Sequence, residues 1–358
     1  MPQINHIPES GISASWQTPS NIALVKYWGK HGRQLPRNAS LSISLKNAVT
    51  RTTVKLLQAL PGEEGKMVSF LFEGKPNDAF ASKVQKYFDS LQGEFRFPEA
   101  VKFEIETSNS FPHSAGIASS ASAMGAISLC LCELERKLNP DLSDENQFFR
   151  KASLIARLGS GSAARSVYGG FAVWGKHAEV SGSSDEYAIP LSENIHNLYH
   201  GIKNTILIVE ASEKKVSSSA GHNLMNGHPF AEARFVQAEK NLGLLLKALQ
   251  SGDWNTFAAI TENEALSLHA MMMSSNPGYL LIHPNTIKII DKLKSFREQS
   301  GARVCFTLDA GPNLHLLYPE QETEKVQPLL AGLTEFCHNG TFIDDCVGNG
   351  PVNLNNAL

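Results

Sequence analysis

The chain has 358 residues, 42% of them hydrophobic and 19% charged, and 32 Lys and Arg against 35 Asp and Glu give a formal net charge of −3. This balance argues against a broad nucleic-acid-binding face, and the length predicts about two domains with separate cores. No apolar run approaches the roughly 18 residues of a membrane-spanning helix. Five irregularly spaced cysteines and a polar N-terminal segment without a signal-peptide pattern lead us to expect a cytoplasmic protein with free thiols.

A short apolar run at residues 22–25 predicts a buried strand that ends in a cluster of cations and aromatic rings. The cluster comprises Lys26, Tyr27, Trp28, Gly29, Lys30, His31, Arg33 and Arg37. In a slightly acidic chain this concentration fits an anion-binding site, and it fits equally a solvated strand end whose lysines extend over the aromatic rings. Strict alternation over residues 40–45 then predicts a half-buried strand with its serine hydroxyls on the polar face.

A second informative region combines a strand, a polar loop and a helix. Alternation over residues 101–106 predicts the strand, residues 108–116 form the loop, and residues 117–138 read as a helix that begins almost entirely with Ala and Ser. Free N–H groups at the helix start favour phosphate, with Ser119, Ser120 and Ser122 as hydroxyl partners. The alternative is a helix start that packs closely against a sheet; the combination of elements favours phosphate binding.

The third region contains a formal dinucleotide fingerprint, G-x-G-x-x-A, at Gly159, Gly161 and Ala164. A predicted helix precedes it where the fingerprint requires a strand, so a dinucleotide site is disfavoured. What remains is Ser160, Ser162 and Arg165, and a guanidinium flanked by hydroxyls suits recognition of a carboxylate or phosphate.

The fourth region ends in an aspartate at a strand terminus. Helical spacing predicts a helix over residues 285–300 that stops at Gly301, followed by strands at residues 303–308 and 314–318. Asp309 lies between these strands, where it is a good turn residue in its own right. Together with the anion-binding segments, its carboxylate becomes a candidate general base.

Residues 19–23, 26–30, 111–120, 159–170 and 307–313 resemble, in this order, segments of the mevalonate diphosphate decarboxylases, which belong to the GHMP kinase superfamily. The resemblance implies an α+β, GHMP-kinase-like two-domain fold. Residues 1–197 would form a ribosomal-protein-S5-like domain that binds nucleotide and substrate, and residues 198–358 a ferredoxin-like C-terminal domain of the GHMP-kinase type.

The same resemblance implies ATP-dependent decarboxylation of (R)-5-diphosphomevalonate to isopentenyl diphosphate, with release of ADP, phosphate and CO2, in the mevalonate pathway of isoprenoid biosynthesis. ATP as co-substrate, Mg²⁺ and mevalonate 5-diphosphate are therefore the expected partners. We expect a homodimer without nucleic-acid or membrane partners.

The resemblance also implies site residues. Asp309, Lys26 and Arg165 are expected to be catalytic, with Asp309 accepting the proton of the substrate's tertiary alcohol and Arg165 holding its carboxylate. The expected substrate-binding residues are Tyr27, Trp28, Gly29, Lys30, Lys83, Ser160, Gly161, Ser162, Ala163, Ala164, Arg165, Ser218 and Ser219. The expected nucleotide contacts are Pro112, Gly116, Ser119 and Ser120, with Ser120 as the magnesium ligand.

Three positions depart from the family pattern: His113, Ala164 and Ser219 stand where the family usually has Thr, often Cys, and Thr. None of them removes a charge that the reaction needs. Two other classes of function stay open from the sequence, a small-molecule kinase that releases no CO2 and a catalytically silent metabolite-binding protein. The choice between a diphosphate and a monophosphate substrate also stays open.

Overall fold

Two long antiparallel strands, β1 (Ile12–Val25) and β4 (Ser40–Gln58), lie at the centre of the larger of two main sheets. The computed structural model describes residues 7–59, 66–91, 93–98, 100–111, 118–139, 144–191, 194–211 and 218–356. The strands are β1 (Ile12–Val25), β2 (Lys30–His31), β3 (Leu35–Pro36), β4 (Ser40–Gln58), β5 (Lys66–Phe72), β6 (Lys75–Pro76), β7 (Val101–Asn109), β8 (Phe171–Trp174), β9 (Ala188–Leu191), β10 (Ile202–Leu207), β11 (Cys305–Leu308), β12 (Leu314–Pro319), β13 (Phe342–Cys346) and β14 (Val352–Asn353). The helices are α1 (Asp78–Ser90), α2 (Ser119–Leu138), α3 (Glu145–Gly159), α4 (Ala163–Ser166), α5 (Ser218–Asn223), α6 (Ala231–Ser251), α7 (Trp254–Ser274), α8 (Pro284–Ser300) and α9 (Thr323–Leu333).

The larger sheet has the order β14-β1-β4-β7-β5-β6, and β8 joins β4 to β9. The smaller sheet has the order β11-β12-β10-β13, and all its pairs are antiparallel. The predicted α+β class is confirmed. No helix within the described ranges is long and apolar enough to cross a membrane.

Between Ala23 and Val25 the pairing of β1 with β4 is irregular. Ala23 lies opposite Ser42 and Val25 opposite Leu41, so β1 carries one more residue than its partner over this stretch. Such a bulge bends the strand and changes which face the following side chains meet. It lies directly before Lys26, at the end of β1.

The predicted polar face of residues 40–45 is wrong. Ser40, Ser42 and Ser44 are all at most 1% exposed, because the chain after α4 covers this side of β4. Ser40 donates to the carbonyl of Trp174 at 3.2 Å, and Ser44 donates to the carbonyl of Tyr168 at 2.6 Å. Buried hydroxyls are stable where they have such partners.

Helix α2 packs against β1 and β4 through small residues. A Cβ at Gly125 would lie 2.8 Å from Cγ2 of Thr18, so the helix approaches the sheet more closely than a larger residue would allow. Ser122 is fully buried, lies 2.6 Å from the hydroxyl of Thr50 and donates to the carbonyl of Ser119 at 3.2 Å. Its expected role as a phosphate partner is therefore wrong, whereas the close packing of this helix start is confirmed.

Helices α6 and α7 share one hydrophobic core with both main sheets. This core includes Ile22, Leu41, Ile206, Leu242 and Phe257 from β1, β4, β10, α6 and α7. A second core joins α8 and α9 to the smaller sheet through residues such as Leu293, Leu330, Phe306 and Leu316. The domain boundary after residue 197 stays a prediction.

Asp345 ties β13 to the middle of β4. Its carboxylate accepts the backbone N–H groups of Lys46, Asn47 and Ala48 at 2.8, 2.9 and 2.7 Å, and the residue is 2% exposed. A carboxylate that accepts several buried N–H groups stabilises the fold because those donors would otherwise lack partners.

We expect Asp345→Ala to lower the free energy of unfolding by about 3 kcal/mol, measured by urea denaturation, since hydrogen bonds to a charged group are lost. Asp344→Ala is the matched control, because Asp344 is exposed on the same strand and should change stability by less than about 0.5 kcal/mol. Equal unfolding midpoints for the two variants would contradict this role of Asp345.

Candidate active site

Lys26 and Asp309 meet although 283 positions separate them in the chain. Lys26 follows β1, Asp309 follows β11, and Nζ lies 2.9 Å from Oδ1. The Lys26 side chain is 3% exposed and that of Asp309 is 29% exposed. Burial lowers the pKa of the Lys26 ammonium, and the adjacent Asp309 carboxylate opposes that lowering. The pair therefore presents an oriented carboxylate with one side open to a ligand.

A buried ion pair fixes the backbone of Lys26. Its N–H donates to Oε2 of Glu264 at 2.8 Å, and its carbonyl accepts from Arg234 at 3.2 Å and from Asn38 at 3.0 Å. Arg234 and Glu264 lie 2.5 Å apart, with side chains 1% and 0% exposed. They belong to α6 and α7, so helices from later in the chain hold the residue that contacts Asp309. Sequence reasoning missed both; their only signal is a charge among apolar helical neighbours.

Arg165 is a buried cation beside this pair. It is 2% exposed, donates to Oγ of Ser40 and to Oδ1 of Asn21 at 3.4 Å, and its guanidinium carbon lies 5.6 Å from the ring centroid of Tyr27. Burial lowers its pKa to about 10, so the guanidinium stays charged at neutral pH. Its Nε has no hydrogen-bond partner among the described residues. A buried charge with a spare donor is stable when it meets an anion.

Asn21 is a site residue that sequence reasoning did not single out. Its amide nitrogen donates to the carbonyl of Ser162 at 3.1 Å and to Oγ of Ser166 at 2.7 Å, which directs its oxygen toward Arg165. The residue is 3% exposed. Asn21 thus links β1 to the loop that carries Arg165.

An aromatic wall holds the segment after Lys26. The ring of His222 lies 4.7 Å from that of Tyr27 and 4.4 Å from that of Trp28, while Trp174 meets Tyr27 edge-on at 4.7 Å. Gly29 donates its N–H to Nδ1 of His222 at 2.9 Å. Burial lowers the pKa of His222 well below its ordinary value and raises that of Tyr27 to about 12, so both rings are neutral near pH 7.

Close packing explains the glycine pattern around Gly161. Helix α3 precedes it, and a Cβ at Gly161 would lie 2.6 Å from the hydroxyl of Tyr27 and 2.9 Å from the ring of Trp174. Ala163 and Ala164 are fully buried. Ser160 and Ser162 flank the turn between α3 and α4. The region matches no strand-loop-helix dinucleotide site.

The start of α2 suits phosphate oxygens. Ala118 precedes the helix with a φ of +44° and forms no side-chain cap, Ser119 is half-buried, and Ser120 is exposed. Uncapped N–H groups at the start of a 20-residue helix can donate hydrogen bonds to an anion. Pro112 and Gly116, predicted to contact the nucleotide, lie outside the described residues, as does His113.

The structure shows no contact between the Lys26–Asp309 pair and three other predicted substrate-binding residues, Lys83, Ser218 and Ser219, within the part of the chain that it describes. Lys83 is exposed on α1, with its ammonium 5.6 Å from the ring centroid of Phe80, and no described contact joins it to the Lys26–Asp309 pair. Ser218 and Ser219 begin α5, and their side chains lie outside the described part of the chain. Their roles stay predictions.

Lys30 lines an open groove of about 510 Å³ near the end of α5. Burial lowers its pKa to about 8. Its ammonium charge is therefore present below that pH and is lost as the pH rises through about 8.

We expect the affinity for inorganic diphosphate to fall roughly tenfold between pH 7 and pH 9 at constant ionic strength, measured by calorimetry, because the fraction of charged Lys30 falls by that factor. Lys30→Arg is the control, since arginine keeps its charge throughout this range. A pH profile shared by both proteins would show that Lys30 does not govern anion binding.

Two family models match successive parts of the chain. The family model for the diphosphomevalonate decarboxylase-like N-terminal domain matches residues 18–188, and the family model for the mevalonate 5-diphosphate decarboxylase C-terminal domain matches residues 204–354. The diphosphomevalonate decarboxylase of Eremothecium gossypii is 31% identical over 320 residues, which cover 85% of this chain and 77% of that protein.

Solved structures give the same result over almost the whole chain. The mevalonate diphosphate decarboxylase from Staphylococcus aureus is 30% identical, with a TM-score of 0.81, over 95% of this chain and 97% of that one. A structure described as MDDEF in complex with MVAPP, AMPPCP and magnesium is 28% identical, with a TM-score of 0.80, over 95% and 98% of the two chains. The chain belongs to the diphosphomevalonate decarboxylase family.

Proposed function

We propose that this chain catalyses the ATP-dependent decarboxylation of (R)-5-diphosphomevalonate to isopentenyl diphosphate, with release of ADP, phosphate and CO2, as a step of the mevalonate pathway. The observation that carries the proposal is the Lys26–Asp309 pair at 2.9 Å beside the buried Arg165, whose Nε has no partner among the described residues. The arrangement supplies a base and a carboxylate-binding cation together. Family membership supports the same reaction.

Asp309 is proposed as the general base. Its carboxylate, held by Lys26, would orient the substrate's tertiary hydroxyl and accept its proton as the oxygen bonds to the γ-phosphorus of ATP and the bond to ADP breaks. The C–O bond of the resulting phosphate ester then breaks, and inorganic phosphate leaves with the electron pair of that bond. The electron pair of the C–C bond to the carboxylate then forms the new double bond, and CO2 departs.

Arg165 is proposed to bind the substrate's carboxylate until that bond breaks. A planar guanidinium can donate two parallel hydrogen bonds to a carboxylate. Asn21 and Ser40 hold the guanidinium in place, and Tyr27 covers it. Ser160, Gly161, Ser162, Ala163 and Ala164 complete the proposed wall around the substrate.

Magnesium and ATP supply the phosphoryl group that turns a hydroxyl into a leaving group. Ser119, Ser120 and the preceding loop with Pro112 and Gly116 are proposed to bind the nucleotide phosphates, and Ser120 to ligate the metal. Among the described residues, no group of three or more His, Cys, Asp or Glu side chains could hold a metal ion. This fits Mg²⁺, which proteins often hold through few ligands together with substrate phosphates.

The proposal extends to organisation and location: domains over residues 1–197 and 198–358, a homodimer, and a cytoplasmic protein. Support for the location comes from the five cysteines, which are all free, four of them buried. Sedimentation at micromolar concentration tests the dimer, and a monomeric mass would overturn it.

The decisive experiment follows ADP and CO2 together, with ATP and Mg²⁺ and with diphosphomevalonate, its monophosphate or mevalonate. We expect equal ADP and CO2 release with the diphosphate. Asp309→Asn should lower kcat by about 10²–10⁴ with substrate affinity nearly unchanged, because a base is lost and not a binding group. Asp291→Asn, the same change at an exposed position on α8, is the control.

Each other outcome changes the function. Release of ADP without CO2 would show that the protein is a kinase. Turnover only with the monophosphate or with mevalonate would show that diphosphomevalonate is not its substrate. Substrate binding without turnover would indicate a metabolite-binding protein. Wild-type kcat in Asp309→Asn would remove the assigned role of that residue.

We expect Arg165→Lys to lower kcat/KM for the diphosphate substrate about 10–100-fold, because a point charge cannot replace the planar pair of donors. The KM for ATP should stay unchanged, since the carboxylate belongs to the other substrate. Arg150→Lys on α3, where the side chain is exposed, provides the comparison. Unchanged kinetics in Arg165→Lys would show that another group binds the carboxylate.

A further inference from the structure

The hairpin of β2 and β3 leads into a cation, Arg37, that has no role in the proposed catalytic site. Arg37 follows β3 directly, and its N–H donates to the carbonyl of Gly29 at 3.3 Å. Lys30 pairs with Pro36 in the same hairpin. Arg37 therefore lies one position beyond the strand partner of Lys30, where the chain leaves the aromatic wall.

The stem of Arg37 has a defined position although the residue is exposed. Gly29 has a φ of +107°, and a Cβ there would lie 3.2 Å from Cγ of Arg37. The arginine stem thus rests against the Gly29 backbone. No acidic side chain among the described residues pairs with Arg37, so its guanidinium is available to a ligand.

Arg33 differs from Arg37 in this respect. It lies on the same hairpin but donates to Glu94 at 3.3 Å and to the carbonyl of Ser90 at 2.9 Å. Its guanidinium is thereby directed toward the end of α1 and the following turn.

Lys30 and Arg37 line one groove of about 510 Å³ together with His31, Arg33, Asn223 and Asn226. No acidic side chain is among the described residues that line it. Its other wall is formed by Asn223, the last residue of α5, and by Asn226, which follows the helix. A compact ammonium and a planar guanidinium that line one groove suit an anion with several oxygens on two centres.

We propose that Arg37 binds the terminal phosphate of the substrate's diphosphate, next to Lys30, and is a specificity-determining residue for the diphosphate over the monophosphate. This inference rests on the proposed function. A monophosphate could occupy only one of the two positions and would leave Arg37 without its anion. The lowered pKa of Lys30, caused by burial, makes a second, permanently charged group more valuable above pH 8.

The first test measures binding of inorganic diphosphate and orthophosphate by calorimetry, at fixed ionic strength and pH 7.5. Arg37→Met should weaken diphosphate binding about tenfold and orthophosphate binding less than twofold, since a charge-assisted contact to the second phosphate is lost. Arg150→Met removes the same charge from an exposed position on α3, outside the groove, and should change either affinity less than twofold. Arg37→Lys should restore part of the diphosphate affinity.

The second test uses turnover. In Arg37→Met the KM for diphosphomevalonate should rise about tenfold, with kcat and the KM for ATP unchanged, so that the preference over the monophosphate narrows by the same factor. Equal effects of Arg150→Met and Arg37→Met would overturn the inference, because general electrostatic attraction would explain both. Equal loss for both phosphate probes, or a wild type that binds inorganic diphosphate no better than orthophosphate, would overturn it as well.

Failure of the proposed function gives a different pattern. A wild type that binds diphosphate through Arg37 but releases no CO2 would remove the decarboxylase assignment and leave the anion subsite standing. A wild type that releases CO2, with an Arg37→Met variant unchanged in KM, would remove only the subsite.

Discussion

The contact between Lys26 and Asp309 is the interaction on which the site depends. It requires the end of β1 in the larger sheet and the end of β11 in the smaller sheet to lie within hydrogen-bond distance, 2.9 Å between the charged atoms. The shared core of α6, α7 and both sheets makes this possible. If that core shifted by the width of one side chain, the base would lose its cation.

The site concentrates buried positive charge that the described protein groups balance only in part. Lys26 has Asp309, and Arg234 has Glu264, whereas Arg165 donates to neutral oxygens, packs against aromatic rings and shares the electrostatic influence of the Asp309 carboxylate. Burying a charge costs several kcal/mol unless a partner meets it. The fold therefore keeps the buried Arg165 cation oriented before an anionic substrate binds, which is the kind of preorganisation that catalysis uses.

Local patterns predicted the parts of the site that depend on nearby residues. The strand that delivers Asp309, the helix before Gly301 and the helix start at Ser119 follow from periodicity and turn chemistry. Resemblance to a family, not spacing, assigned roles to Lys26 and Arg165. Long-range contacts could not be predicted. No residue near Asn21 in the chain indicates that Asn21 orients the guanidinium of Arg165, 144 positions away.

Errors in the sequence-based picture share a physical cause. Alternating serines in β4 and Ser122 in α2 look solvent-facing because their hydroxyls are polar. In the structure Ser40, Ser44 and Ser122 hydrogen-bond to carbonyls or to another hydroxyl inside the protein. Ser42 is also buried, without a hydrogen-bond partner for its hydroxyl among the described residues. Sequence reasoning made no prediction for Arg234 and Glu264, since their pairing across α6 and α7 is visible only in three dimensions.

The long separation between Lys26 and Asp309 also has a consequence for biosynthesis. At about 5–20 residues per second, a ribosome that has made Lys26 needs roughly 15–60 s to reach Asp309. During that interval Lys26, and Arg165 once it is made, exist without the carboxylate of Asp309, and burying them would be unfavourable. The nascent chain can therefore form most of its larger sheet around β1 and β4 before β14 is made, while the region near these cations stays hydrated until the last third of the polypeptide arrives. Assembly of the catalytic centre then coincides with completion of the whole fold.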